Sequence, residues 1–219
     1  MTGGRPTVVL ASASPARLGV LRTAGIDPVV RVSDVDEDAI LARLALAPAE
    51  ERVQALADAK ADAVTAQLLA EAGRPPVGGG DTVVIGCDSM LLIDGELQGK
   101  PADAAQARLR WRQMAGRDGL LLTGHALRLV RDGGVVAAAT DAGSTVVRMG
   151  RPTDDELDAY LATGEPLRVA GALTIDGFGG WFVEGIDGDA GTVLGLSLPL
   201  TRRLLADIGV RVTDLWRAP

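Results

Sequence analysis

The fold is indicated first by twelve consecutive residues, Thr82-Val83-Val84-Ile85-Gly86-Cys87-Asp88-Ser89-Met90-Leu91-Leu92-Ile93. Two apolar runs in this stretch, Thr82–Cys87 and Met90–Ile93, have the composition of buried strands. Asp88 is then a carboxylate at the end of a buried strand, which is costly unless it is paired or bound to a metal. Ligand crevices of α/β sheets form at such strand ends. The alternative is a structural aspartate that caps a turn, and we favour a functional Asp88.

Strand and helix patterns alternate on both sides of this stretch. A hairpin is predicted from strands over 120–130 and 135–147, and Gly86 allows another backbone or a ligand to approach closely. This alternation predicts an α/β fold in which a mixed, twisted sheet is flanked by helices. The other predicted elements are a strand over 7–11, a helix from the cap Ser14-Pro15 to Ala24, a β-like stretch over 29–32, a helix over 49–72 closed by Gly73, a loop over 74–80, and helices over 103–114, 153–164 and 198–208.

The composition excludes several classes of protein. The chain has 219 residues, of which 47% are hydrophobic and only 3% aromatic, so aliphatic side chains must build the core. The 22 Lys and Arg against 29 Asp and Glu give a net charge of -7, which argues against non-specific nucleic-acid binding. With one cysteine, no signal-peptide pattern and no apolar run of about 20 residues, we expect a cytoplasmic protein without a membrane span.

Lys60 interrupts the apolar face of the helix predicted over 49–72. A lysine at this position either extends its amine past the edge of the core into solvent or directs it into an anion-binding cleft. The helix pattern alone favours the first interpretation. The apolar residues of that face are Val53, Leu56, Ala57, Ala61, Val64 and Leu68.

A second candidate for anion binding is the turn from Ser12 to Arg17. Strand, hydroxyl-rich turn and helix N-terminus present free N–H groups that can bind an anion. Arg17 lies in the first helical turn, where a cation is unfavourable against the helix dipole unless an anion is bound there. Many helices begin with such a cap, so the motif by itself favours an ordinary helix start.

Other polar residues carry weaker signals. Lys100 is held extended by Pro101, and by itself it is interpreted as a solvated loop residue, as is the acidic cluster around Asp36 and Glu37. His125 is interpreted as structural. A single histidine and a single cysteine argue against a zinc site of the usual His/Cys type, and no nucleophile-elbow motif supports Ser–His–Asp catalysis.

Taken in order, several short motifs resemble the Maf family of nucleoside triphosphate pyrophosphatases, relatives of the inosine-triphosphate pyrophosphatase fold. Each motif is weak alone, but their joint order and spacing cover nearly the whole chain and are specific. The motifs are Leu10-Ala11-Ser12-Ala13-Ser14-Pro15-Ala16-Arg17, Val35-Asp36-Glu37, Ala59-Lys60-Ala61, Gly86-Cys87-Asp88-Ser89, Asp94-Gly95-Glu96, Gly99-Lys100-Pro101, Ala170-Gly171, Ile175-Asp176-Gly177, Ile186-Asp187-Gly188-Asp189, Val193-Leu194-Gly195-Leu196 and Leu198-Pro199.

The resemblance implies one Maf-like domain over residues 1–219, with two lobes around a central nucleotide-binding cleft. It implies hydrolysis of a common or modified nucleoside triphosphate between its α- and β-phosphates, giving the monophosphate and pyrophosphate. It also implies a divalent cation, Mg²⁺ or Mn²⁺, and a homodimer as expected family features.

The resemblance also implies roles for individual residues. Asp88 matches the family's proposed general base and, with Glu37, a metal-binding position. The matches to substrate-binding positions are Ser12, Arg17, Lys60, Lys100 and Asp176. Lys60 and Lys100, which by themselves are interpreted as lysines that extend into solvent, are therefore predicted to be functional.

Three departures from the family pattern bear on these roles. Ala16 stands where many members carry the first of two arginines, which indicates weaker or differently arranged phosphate binding. Asp176 stands where many members have glutamine, at a position linked to base recognition, so a preference for thymidine or uridine nucleotides is not carried over. Val169 replaces the lysine of the family's Lys-Ala-Gly, with Arg168 one place earlier.

Two other functions stay open at this point. One is a nucleotide-binding regulator linked to cell-division or septum control with little catalysis, which Ala16 and Asp176 favour. The other is a hydrolase of another class, such as a sugar-phosphate hydrolase with the same kind of phosphate site.

Overall fold

In the computed structural model, which describes residues 5–71 and 80–217, a mixed sheet is flanked by helices, as predicted. Seven strands of the described chain form it in the order β2-β1-β3-β5-β6-β7, and β4 pairs with β3. β1 is parallel to β2 and β3, whereas β3–β4 and β6–β7 are antiparallel. The strands are β1 Thr7–Leu10, β2 Val29–Val30, β3 Thr82–Ile93, β4 Glu96–Gln98, β5 Asp118–Arg131, β6 Gly134–Met149 and β7 Val183–Gly188.

Several of the helices begin at side chains that cap them. Ser14 caps α1, Asp103 caps α4, and Thr153 with Glu156 forms the predicted capping box of α5. The helices are α1 Pro15–Thr23, α2 Glu37–Arg43, α3 Ala49–Ala70, α4 Ala104–Met114, α5 Asp154–Ala162, α6 Ala190–Leu194 and α7 Leu198–Asp207, and the 3-10 turns are Glu165–Arg168, Ala170–Ala172, Phe178–Phe182 and Val212–Asp214.

Two predictions about local structure are wrong. Asp88 does not end a strand but lies inside β3, which continues through it to Ile93. The acidic cluster is not only a loop, because Asp36 caps α2 by accepting from the Ala39 backbone N–H at 2.9 Å. The predicted end of the long helix at Ala72 and Gly73, and the loop over 74–79, lie outside the described residues.

The chain divides into two compact units. The first comprises the described residues of Met1–Asp88, Gly124–Ala142 and Leu196–Pro219, and the second comprises Ser89–Thr123 and Gly143–Gly195. The main core of the first unit joins β1, the first half of β3, β5 and α7, with aliphatic residues such as Leu10, Ile85 and Leu205. The prediction of one domain with a cleft between two lobes stays a prediction.

The core of the second unit contains an aromatic cluster. The rings of Trp111, Tyr160 and Phe182 lie with centroids 5.5 to 6.0 Å apart. The buried Trp111 indole donates to the Ala172 carbonyl at 2.8 Å. Such edge-on contacts add to the burial of the rings, so this small set of aromatics ties α4, α5 and the chain before β7 together.

None of the helices formed by the described residues combines the length and the apolar character that crossing a membrane requires.

Candidate functional site

Asp88 lies on β3 with 6% of its surface exposed, and two cations act on it. The Lys60 ammonium Nζ lies 2.5 Å from Asp88 Oδ1 and 2.8 Å from Glu37 Oε1. Lys60 thus forms ion pairs with two carboxylates. One is the buried carboxylate of Asp88 on β3, and the other is the half-exposed carboxylate of Glu37 at the first residue of α2. A buried carboxylate needs such a partner, because an unpaired charge away from water is costly.

The position of Lys60 follows from how closely α3 approaches the sheet. A Cβ atom built on Gly86 would lie 2.5 Å from the Ala57 carbonyl oxygen, and one built on Gly124 would lie 2.2 Å from the Val53 carbonyl oxygen. Both glycines therefore leave room for the helix backbone itself, as predicted for Gly86. Asp88 is two residues after Gly86 and points to the same face of the sheet.

Lys60 consequently reaches Asp88 from the next turn of α3. Its side chain is only 13% exposed. The interpretation from the helix pattern alone, that the amine extends into solvent, is wrong, because a buried carboxylate is available to receive it.

The electrostatics of Asp88 reflect a balance of burial and charge. Burial raises the pKa of Asp88 above its ordinary value of 3.8, while Lys60 and Arg17 lower it and Glu37 raises it further, and the net direction is upward. A carboxylate with a raised pKa is a stronger base than an ordinary one. This arrangement can therefore accept a proton from a bound water molecule.

Ser12 and Arg17 lie beside the same strand. The buried Arg17 guanidinium donates to Ser12 Oγ at 3.0 Å and to the Cys87 carbonyl at 2.7 Å. Ser12 Oγ also accepts from the Ser14 backbone N–H at 3.2 Å. The first helical turn of α1 thus brings a cation to the residue before Asp88. Five of the predicted site residues are brought together in the first unit: Ser12, Arg17, Glu37, Lys60 and Asp88.

The other two predicted site residues, Lys100 and Asp176, belong to the second unit. Lys100 is exposed and has no hydrogen bond or ion pair with any described residue. Asp176 accepts a hydrogen bond from the Thr174 hydroxyl. The following turn is held by Glu165, whose carboxylate accepts from the backbone N–H groups of residues 178 and 179 at 3.0 and 2.8 Å.

Glu37 and Asp88 are the residues that could hold a metal. No group of three or more His, Cys, Asp or Glu residues suited to a metal ion occurs among the described residues. Mg²⁺ is commonly bound through one or two carboxylates together with substrate phosphates and water. Two carboxylate side chains on one ammonium group therefore fit an ion that binds together with a triphosphate, and they do not form a self-sufficient metal cage.

His125 is structural, as interpreted, and so is Cys87. The fully buried His125 accepts from the Ser197 backbone N–H through Nε2 at 2.8 Å, and Ser197 caps α7. Burial raises the pKa of the Cys87 thiol to about 11. A thiol that stays protonated at neutral pH is a poor nucleophile, so neither residue competes with Asp88 as the reactive group.

Two structural features near the predicted site residues are not among the predictions made from the sequence. Glu37 is the first residue of α2, which the cap at Asp36 followed by acidic residues could have indicated. Arg110 on α4 donates to the Gly99 carbonyl at 2.8 Å, next to Lys100. Nothing in the local pattern around Arg110 indicates this contact, because the two residues meet only through tertiary packing.

Comparison with known proteins identifies the family. The model of the family described as Maf-like protein matches residues 7–208. A Nocardia farcinica protein named nucleoside triphosphate pyrophosphatase is 60% identical over 215 residues, which are 97% of this chain and 98% of the relative. Proteins of the same name from Saccharopolyspora erythraea and Rhodococcus opacus are 59% and 57% identical, over 96% and 95% of this chain and 97% and 95% of their own lengths.

Among solved structures, a Mycobacterium abscessus protein titled nucleoside-triphosphatase / dITP/XTP pyrophosphatase aligns at 19% identity. It covers 66% of this chain and 73% of its own, with a TM-score of 0.28, which is too low to bear on the fold. The family match and the near-full-length relatives are sufficient by themselves: this chain belongs to the Maf-like protein family.

Proposed function

We infer that this protein hydrolyses a nucleoside triphosphate to the nucleoside monophosphate and pyrophosphate. The observation that carries this inference is 60% identity over 97% of the chain to a relative named nucleoside triphosphate pyrophosphatase. The chemistry is that of a hydrolase acting on an acid anhydride. A buried carboxylate in contact with a lysine, beside an arginine of a helix N-terminus, is the kind of site that this reaction needs.

We propose that Asp88 is the general base of the reaction. A water molecule attacks the α-phosphorus in line while pyrophosphate leaves, and Asp88 accepts the proton of that water. The raised pKa of Asp88 supports this role, because it brings the base closer to neutral pH. Lys60 keeps the carboxylate oriented through its contact with Oδ1.

Four further residues are proposed to bind the triphosphate. Ser12 and Arg17 would bind phosphate oxygens at the start of α1, and Lys60 would offset charge that develops on the leaving group. Lys100 is proposed for the same task on the resemblance and on its lack of any partner among the described residues. Asp176 is proposed to contact the base, so a preference for thymidine or uridine is not assumed.

The cofactor is proposed to be a divalent cation, Mg²⁺ or Mn²⁺, held by Glu37 and Asp88. When bound, the ion supplies positive charge beside the phosphates. Asp88 can contribute a lone pair to the ion and still serve as the base, since an ionised carboxylate has about four lone-pair sites and Lys60 contacts only Oδ1. Glu37→Gln should raise the metal concentration needed for half-maximal activity, and excess EDTA should stop turnover. Retained activity in EDTA would contradict the metal proposal alone.

We also propose a cytoplasmic location, a homodimer and no nucleic-acid partner. The buried single cysteine fits a reducing compartment, and the net charge of -7 fits a protein that does not bind nucleic acid through its overall charge. The homodimer is a family expectation, which light scattering of the purified protein would test.

The function is tested by measuring products. Purified protein is incubated with ATP, GTP, CTP, UTP, dTTP and modified triphosphates in Mg²⁺ and in Mn²⁺, and pyrophosphate and phosphate are measured separately. Pyrophosphate release in equal amount to the monophosphate is expected. Release of inorganic phosphate instead would point to a hydrolase of another class, and binding without turnover would point to a nucleotide-binding regulator.

A further inference from the structure

Arg110 differs from the arginines beside it on α4. Arg112 is paired with Asp154 at 3.0 Å, and Arg108 is paired with Asp158. Arg110 has no carboxylate partner among the described residues, and it is half-buried. Its guanidinium instead donates through one nitrogen to the Gly99 carbonyl at 2.8 Å.

Stability does not explain why a half-buried guanidinium has no carboxylate partner. Burial lowers the pKa of Arg110, and no nearby charge compensates that cost. A residue that breaks a local rule without an evident structural gain is commonly a functional one. The hydrogen bond to the Gly99 carbonyl is then the contact through which Arg110 can act.

That contact fixes the backbone on one side of Lys100. The Gly99 carbonyl accepts from Arg110 and also from the Gly171 backbone N–H at 3.1 Å, so both of its lone pairs have partners. Gly171 itself cannot shift easily, because a Cβ atom there would lie 2.6 Å from a methyl group of Leu91. Two donors on packed elements thus hold this carbonyl.

The other side of Lys100 is held by Pro101. A residue before proline is restricted to extended backbone conformations, and Pro101 is buried. The backbone of Lys100 is therefore held at both ends, while its ammonium stays exposed and without a partner. Fixing the backbone from which a charged side chain extends, before the ligand arrives, lowers the entropy cost of binding.

We propose that Arg110 is a positioning residue for substrate binding, which acts by fixing the Gly99 carbonyl and thereby the backbone that carries the Lys100 side chain for the triphosphate. The proposal rests on the proposed function, since it assumes that Lys100 binds substrate phosphates. It assigns to α4 a part in binding that no sequence motif indicates. Arg110 acts through Lys100 and needs no contact with the nucleotide itself.

The test is a double-mutant cycle on pyrophosphate release. Arg110→Met keeps the unbranched apolar stem and removes the donor, and it should raise KM for the best triphosphate of the panel about tenfold, the order expected for one hydrogen bond to a charged group. The value of kcat should change much less. Arg112→Met removes an exposed ion pair of the same helix and should leave KM unchanged.

The decisive measurement is made in the Lys100→Met background. Lys100→Met should raise KM, and adding Arg110→Met should raise it no further, because the effect passes through Lys100. A further rise of the same size in the double variant, or an unchanged KM in Arg110→Met, would overturn the proposal. Arg110→Lys keeps the charge and one donor, and its KM should lie between those of the wild type and Arg110→Met. This variant tests the proposal if Arg110→Met does not fold.

Failure of the two proposals can be distinguished. If the wild-type protein releases no pyrophosphate, the proposed function is wrong. If the wild-type protein is active but Lys100→Met leaves KM unchanged, Lys100 has no role in binding and the positioning proposal is overturned while the function stands. Inhibition by inorganic pyrophosphate should weaken in parallel with the rise in KM.

Discussion

At the scale of single residues, the proposed chemistry depends on a carboxylate that is almost completely buried. Asp88 is 6% exposed, and its partners are side chains from elements far apart in sequence. Removing one member of a buried ion pair leaves the other unpaired and is costly. Changes at Asp88 and Lys60 should therefore affect both catalysis and stability, and only isosteric substitutions separate the two effects.

Asp88→Asn is expected to lower kcat by about 10²- to 10⁴-fold, the range of a lost general base. The amide has nearly the same shape, so KM should change little. The measurement is pyrophosphate release under saturating substrate, with Asp81→Asn as a control, because Asp81 pairs with Arg131 at the surface. Near-normal turnover of Asp88→Asn would exclude the assigned role.

The buried thiol of Cys87 provides a pH prediction. Its pKa is raised from 9.0 to about 11 by burial, so the folded state favours the neutral thiol. This contribution to stability is complete below pH 9.0 and is lost as pH rises through about 11. The loss should be about 2 to 3 kcal/mol in the free energy of unfolding.

Urea unfolding at pH 8 to 11 measures this loss, with Cys87→Ala as the comparison. The variant lacks the thiol, and its free energy of unfolding should fall less steeply above pH 9.0 than that of the wild type. Equal slopes for the two proteins would show that Cys87 does not titrate as inferred.

At the scale of elements, α3 and the sheet make an unusually close contact. Gly86 and Gly124 leave space for the helix backbone, and small residues fill the rest of the interface: Ala57, Ala61 and Ala126. Arg128 of β5 adds two ion pairs to the same helix, to Asp58 and Asp62, each at 2.7 Å. The helix that carries Lys60 is thus held by packing and by charge.

Gly86→Ala should displace α3 and weaken the contact between Lys60 and Asp88. Overpacking of this kind costs about 1 to 3 kcal/mol, so both the free energy of unfolding and kcat should fall. Gly19→Ala in α1 is the matched control, because a Cβ atom there meets nothing within 4 Å. The free energy of unfolding of Gly19→Ala should be unchanged or higher by about 0.5 to 1 kcal/mol. Equal behaviour of the two variants in thermal unfolding would contradict the packing argument.

At the scale of the whole molecule, charge limits the choice of partner. A net charge of -7 opposes binding to the phosphate backbone of nucleic acids. A single phosphorylated nucleotide can still bind, because Lys60, Arg17 and the proposed divalent cation together outweigh Asp88 and Glu37 locally, while the charge of distant acidic residues is screened.

We therefore expect no binding of duplex or single-stranded DNA in a gel-shift assay at about 50 mM salt. Nucleoside triphosphates should raise the melting temperature under the same conditions, since a ligand that binds only the folded state stabilises it. A shifted DNA band that disappears with rising salt would contradict the expectation and reveal a basic surface.

Sequence patterns alone are sufficient to predict the class of fold, several helix starts and the family. Local rules were sufficient there: Ser14, Asp103 and Thr153 cap their helices, and the strands β5 and β6 lie where the hairpin is predicted. These features depend on side chains within a few residues of one another, which is what a sequence pattern records.

The partners of the polar residues follow from tertiary packing, which no local pattern records. The strand patterns predict that Asp88 ends a strand, and the helix pattern alone favours a Lys60 amine in solvent. Each expectation is wrong because of the other residue: the two form an ion pair across 28 positions of sequence. For the same reason, the sequence does not predict the contact of Arg110 with Gly99. The cost of burying a charge depends on its neighbours in space, and packing alone determines those.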